Sequence, residues 1–162
     1  MRWYFEDINR QLRLKAIIDS WIGTPFRHRC AVKGKQGGVD CIHFVAEVFK
    51  ELGVIQDYTV PEYEHDWHLH KSEEKLLRSI FKFAEALKDK GSLKNVGFND
   101  PKNGDIIMFQ FGRTVSHASI YYDKRIYQSL TGMRVEPRPF HDKSTDFRKK
   151  YEFRIFERIT TP

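Results

Sequence analysis

Apolar residues between Asp7 and Trp21 fall at Ile8, Leu12, Leu14, Ile17, Ile18 and Trp21. This spacing is close to the 3.6-residue period and predicts a helix. Gly23-Thr24-Pro25 ends it, since glycine terminates helices and proline cannot continue one. Residues Arg27 to Val39 read as a loop, with Gly34, Gly37 and Gly38 among basic side chains. From Cys41 to Leu52 the helical period returns. Cys41, Val45, Val48 and Leu52 form an apolar stripe, opposed by His43, Glu47, Lys50 and Glu51, and Gly53 closes the segment. Asp57 to His70, with Tyr58, Pro61, Tyr63 and Trp67, predicts an extended loop. Ser72 to Lys90 predicts a third helix, ended by Gly91.

After Pro101 the period changes. Asp105–Phe111, Ser116–Tyr122, Arg125–Leu130 and Arg134–Arg138 predict short strands, parted by Gly112, Asp123-Lys124 and Gly132. The polar segment His141–Lys150 precedes a last alternating strand, Tyr151–Ile159. Helices first and strands afterwards imply an α+β domain with a mostly antiparallel sheet of about five strands. There is no repeat and no low-complexity segment.

Length and composition narrow the class. A chain of 162 residues suits one domain, 1–162, able to bury about two thirds of its unfolded surface. Hydrophobic residues at 40% and charged residues at 31% read as soluble and globular. Met1 to Asp7 turns polar before a signal-peptide core develops, and no stretch reaches membrane-span length. The expectation is synthesis in the cytoplasm, with any export by another machine. The formal charge of +6 points to an anionic partner: nucleic acid, a membrane surface or a cell-wall polymer. Lysine and arginine are scattered and no nucleic-acid module accompanies them, which argues against nucleic acid. Two cysteines, Cys30 and Cys41, are too few for a disulfide framework.

Cys41 stands where a glycine-rich loop passes into a helix. Unpaired N–H groups and the positive end of the helix dipole lower a thiol pKa and can hold an oxyanion. An activated Cys41 is then expected to alkylate much faster than Cys30. The base must come from elsewhere. His117 lies on a predicted strand among short residues. If Asp123-Lys124 forms a two-residue turn, Tyr122 pairs with Arg125 and Ser119 with Gln128; a two- or four-residue loop leaves His117 and Gln128 on one sheet face, and a three-residue loop breaks this. A glutamine carbonyl there accepts the imidazole N–H and fixes the ring, the third role in a Cys-His triad. The histidine cluster His65-Asp66-Trp67-His68-Leu69-His70 reads as a solvated loop, because His68 and His70 share a face that His65 does not. No metal or cofactor is expected.

Five segments occur in order: Trp21-Ile-Gly-Thr-Pro-Phe26, Gly38-Val-Asp-Cys-Ile-His-Phe-Val45, Asn103-Gly-Asp-Ile-Ile-Met-Phe109, His117-Ala-Ser-Ile-Tyr-Tyr122 and Ile126-Tyr-Gln128. This set resembles the NlpC-type peptidases, papain-like enzymes that cut bacterial cell-wall peptides. It most resembles their phage-tail-associated branch, through Trp21-Ile-Gly-Thr-Pro and Asp66-Trp67. The resemblance implies that Cys41 starts the central helix and packs on the sheet bearing His117, with Gln128 in the orienting position. It also implies attack through a thioester on a stem peptide, typically between γ-D-glutamate and diaminopimelate or lysine. Asp40, Phe26, Ile42 and Ser116 are the implied substrate-binding positions. Phe26 stands where the family commonly has tyrosine. Ile42 and His43 replace a Ser-Gly pair whose serine, with the aspartate, helps bind a free peptide amine in many relatives. His43 falls about 200° round the helix from Cys41, outside the triad.

Three function classes follow: a wall peptidase or amidase, phage-borne or secreted as an effector; a tail or scaffold protein with the same fold and little activity; and a basic nucleic-acid-binding domain. The intact Cys41, His117 and Gln128 set favours the first.

Overall fold

The computed structural model describes residues 2–58, 60, 75–87, 91–98 and 100–157. Three α-helices are among them: α1 (Ile8–Trp21), α2 (Cys41–Glu51) and α3 (Lys75–Leu87). α1 starts after Asp7, whose carboxylate accepts the Asn9 N–H at 2.7 Å, and ends before Gly23, which takes a left-handed φ of 91°. The expected third helix is present in its middle; 72–74 and 88–90 lie outside the described residues, as does the histidine cluster at 65–70. None of the described helices is long and apolar enough to cross a membrane.

The strands are β1 (Arg2–Trp3), β2 (Ala31–Val32), β3 (Gly38–Val39), β4 (Gly91–Asn95), β5 (Ile106–Phe111), β6 (Thr114–Tyr122), β7 (Arg125–Gln128), β8 (Glu136–Pro139) and β9 (Lys149–Glu157). Seven of them form one antiparallel sheet in the order β1-β9-β5-β6-β7-β8, with β4 also on β9. The five strands read from the sequence are all present. β1 and β4 are additions, for β1 is two residues long and Gly-Ser-Leu-Lys-Asn lacks the alternation that marks a strand. The glycine-rich loop is also more regular than expected, because β2 and β3 pair as a small ribbon. Gly37 closes this ribbon so tightly that a Cβ there would strike the Val32 carbonyl.

The helices cover one face of the sheet. Leu14, Ile18, Phe44, Val45, Phe49 and Ile80 pack with Ile106, Met108, Ala118 and Ile120. Each such side chain, fully buried, contributes roughly 1.5–3 kcal/mol. α2 buries more than one stripe: Ile42, Phe44, Ala46 and Phe49 are also interior. The opposite sheet face carries a smaller core of Ile107, Phe109, Tyr121, Ile126 and Phe140. Beside it lie two buried carboxyls. Asp105 accepts from Arg154 Nε at 2.9 Å and Nη2 at 2.8 Å and from the Lys102 N–H at 3.0 Å. Glu152 is fully buried, and neither of its oxygens has a hydrogen-bond partner among the described residues.

Candidate active site

α2 begins at Cys41 because Asp40 caps it: the Asp40 carboxylate accepts the His43 N–H at 2.9 Å. The segment before the helix is stitched in place by backbone bonds, Val39 N–H to Pro25 and Phe26 N–H to Met133, and the Ser129 hydroxyl donates to the Val39 carbonyl at 2.6 Å. The Trp21–Phe26 and Gly38–Val45 motifs therefore meet, together with the chain leaving β7. Cys41 lies against β6, where the N–H of Ala118 reaches its sulfur, joined by the N–H groups of Ile42 and of Cys41 itself.

Ala118 is the neighbour of His117, but the two side chains take different faces of β6. Ala118 belongs to the helix-side core. The His117 ring lies against Phe109 at 5.6 Å and Phe111 at 6.1 Å on the other face. The β6–β7 hairpin turns at Asp123 and Lys124, both with left-handed φ (46° and 67°), and pairs Tyr122 with Arg125. That register matches the expected two-residue loop. It brings Gln128 Oε1 to 2.7 Å from His117 Nε2, with both residues buried. An amide oxygen only accepts, so Nε2 carries the hydrogen and Nδ1 keeps its lone pair. A cavity of about 180 Å³ opens beside this pair, bordered by Phe109, Phe111, Met133 and Arg138.

The electrostatics of the resting site differ from the sequence expectation. Burial pushes the Cys41 thiol up to about 12, the adjacent Asp40 charge adds to this, and the nearby N–H groups only partly oppose it. Desolvation outweighs the helix end, so the thiol is neutral. Burial likewise brings His117 down to about 4 against the Gln128 hydrogen bond. The pair rests as thiol and neutral imidazole, and the structure shows no hydrogen bond between them. In place of the expected low-pKa thiolate, the buried Cys41 rests as a thiol, and exposure favours Cys30 (half-buried) over Cys41 (7% exposed) as the more accessible sulfur.

The remaining expected residues are placed as follows. Asp40 is 1% exposed, with its oxygens held by His43 and by the Arg29 N–H at 2.8 Å. Ile42 is interior, 2% exposed. Phe26 is half-buried and forms a bridge with Val39. Ser116 sits at a bulge between β5 and β6, where its hydroxyl bonds the Phe111 backbone. His43 lies outside the Cys41–His117–Gln128 set, as expected, but its role as Asp40 partner, Nδ1 to Oδ1 at 2.7 Å, is new. The available signal was its position three residues after the cap, from which a side chain reaches back. The Ala118 N–H and the phenylalanine walls carry no sequence signal of their own. Among the described residues no cluster of histidine, cysteine and carboxylates could hold a metal.

The model of the NlpC/P60 family matches residues 23–151. No curated protein matches the chain significantly. Among solved structures, a Staphylococcus aureus protein described as similar to lipoprotein, NLP/P60 family, superposes with a TM-score of 0.61 at 15% identity, covering 94% of this chain and 43% of its own. The Mycobacterium tuberculosis peptidoglycan hydrolase RipB gives 0.57 at 16% identity, with 93% and 67% covered. RipD of the same organism, described as a non-catalytic NlpC/p60 domain protein adapted to peptidoglycan binding, gives 0.53 at 12% identity, with 93% and 98% covered. The chain thus spans less than half of the staphylococcal protein and about two thirds of RipB. At these identities the likeness is one of fold.

Proposed function

We propose, for a chain that belongs to the NlpC/P60 family, that it is a cysteine peptidase or amidase hydrolysing a peptide bond in bacterial cell-wall stem peptides. The observation that carries this reading is the meeting of α2 with β6: the Cys41 sulfur is within reach of the Ala118 N–H, one residue from a histidine already oriented by Gln128. His117 is the base, with Nδ1 accepting the thiol proton as sulfur attacks the scissile carbonyl. The N–H of Cys41 faces the oxyanion that forms. Collapse breaks the C–N bond, and the proton passes from His117 to the departing amine. Water then gives its proton to His117 and cleaves the thioester, and the thiol recovers its own. Because both groups rest neutral, the proton moves from thiol to ring during attack, not before it.

Asp40 is 1% exposed and already accepts from Arg29 and His43, which leaves little access for a free substrate amine, and internal bonds are the proposed targets. Phe26 and Ser116 retain surface to offer a substrate, while Ile42 supports the core. Delivery by a phage tail or a secretion apparatus also belongs to this proposal. It rests on Trp21-Ile-Gly-Thr-Pro and on Asp66-Trp67, the latter outside the described residues. A second reading, a wall-binding domain with little activity, is favoured by the enclosed thiol and by the likeness to RipD. Incubating the protein and Cys41→Ala with purified wall peptides, read by mass spectrometry, separates the two. Cleavage only by wild type supports the peptidase; binding by both without products supports the second reading.

A further inference from the structure

The Asp40–His43 pair sets a carboxylate next to the thiol, and the triad does not use it. Asp40 is one residue from Cys41 and 1% exposed. A buried carboxylate so placed opposes formation of a thiolate beside it, since two like charges share a region of low dielectric. Donors to this carboxylate include the Arg29 N–H at 2.8 Å, the His43 N–H at 2.9 Å, and the imidazole Nδ1 of His43 at 2.7 Å. The two N–H groups belong to the backbone and are present whatever residue stands at 43. The imidazole is the one contribution that depends on the histidine side chain.

His43 is itself held. Its ring lies 6.2 Å from the Tyr58 ring. The Tyr58 hydroxyl donates to Glu47 at 2.7 Å, and Lys50 stands 5.9 Å from the Tyr58 ring centre. Charged and titratable groups around the pair include Cys41, Glu47 and Lys50 on α2, Tyr58 beyond it, and Arg29, whose N–H bonds Asp40, on the preceding loop. His43 bonds Asp40 directly, Nδ1 to Oδ1 at 2.7 Å. Burial alone would raise the Asp40 carboxyl; the His43 hydrogen bond and charge, with the two N–H groups, bring it below the ordinary carboxylate range.

We propose that His43 is a positioning residue of the site: it clamps the Asp40 carboxylate against the start of α2 and screens that charge from the Cys41 thiol. The inference deepens the peptidase reading and rests on it for its catalytic meaning, but thiol ionisation can be read without any substrate.

The test uses the full chain carrying Cys30→Ser, so that Cys41 is the single thiol. Thiolate formation is followed against pH by ultraviolet absorbance and by alkylation. His43→Leu is expected to move the Cys41 profile to higher pH and to slow alkylation at pH 8 by roughly tenfold. His43→Asn, which keeps a donor near the same place, is expected to recover part of the loss. Asp40→Asn is expected to move the profile the other way, and in that background His43→Leu should shift nothing. Thermal melts of each variant exclude a folding defect as the cause. An unchanged profile in His43→Leu overturns the proposal, as does an equal shift in the Asp40→Asn background, because then no charge is being screened. If wall peptides are not cleaved while the profile shifts as stated, the peptidase reading fails and the screening role stands.

Discussion

Two histidines of this molecule each stand 2.7 Å from a side-chain oxygen, and the oxygens decide what each ring can do. His117 on β6 faces the amide of Gln128, while His43 on α2 faces the carboxylate of Asp40. An amide orients a ring without charge; it leaves His117 neutral, with a lone pair on Nδ1 for a proton. A carboxylate engages its partner electrostatically and gains as much as it gives. The pairs are therefore not interchangeable, and sequence proximity misleads: the histidine two residues from Cys41 serves the helix cap, while the proposed base stands 76 positions away.

The largest expected effect breaks this comparison outright. His117→Ala should lower wall-peptide hydrolysis by about 10³-fold with little change in KM, measured by initial rates. His43→Asn should cost far less. Equal losses would mean that the two rings share the chemistry. Gln128→Ala should lower the rate on the order of a hundredfold through loss of ring orientation. Gln128→Glu should instead raise the pH at which the acid limb of kcat/KM falls, because a carboxylate stabilises the imidazolium.

Much of this comparison was legible in the sequence. The turn at Asp123-Lys124 and the period-two pattern place His117 and Gln128 on one face for a two- or four-residue loop, and the two-residue register that forms satisfies that condition, where a one-residue slip would have parted them. The helix starting at Cys41 was likewise readable from its loop and period. Burial was not readable. Cys41 at a helix N-terminus suggests an acidic thiol, yet it is buried in the core between α2 and the sheet, and desolvation then exceeds the dipole. Nor did the pattern reveal β4, whose Gly91–Asn95 residues owe their strand to pairing with β9 and not to their own propensity.

Stability against pH sharpens the account of burial. His117 titrates near 4 when folded, against 6.5 for the free side chain. Between these values the unfolded chain binds more protons, so stability falls as pH drops from about 6.5 to 4, by roughly 3 kcal/mol from this group. Denaturant melts should show His117→Asn flattening that slope. Glu152 acts with the opposite sign. Burial and the neighbouring Asp105 raise it to about 8 from 4.5, so the folded chain binds more protons between those values and stability falls as pH rises. Glu152→Gln should remove this alkaline loss. The smallest effect is kinetic: in the resting protein, Cys30 should alkylate several-fold faster than Cys41 near neutral pH, read by peptide mass spectrometry.

The central claim, that Cys41 is the nucleophile of a peptidase, is tested most directly by quenching the wild-type protein in acid during turnover of purified wall peptides and weighing its Cys41-containing fragment. The account predicts a fragment carrying the acyl half of the cleaved peptide as a thioester, present during turnover and absent from Cys41→Ala. Cleavage products that form while Cys41 stays unmodified and Cys41→Ala stays active would contradict it.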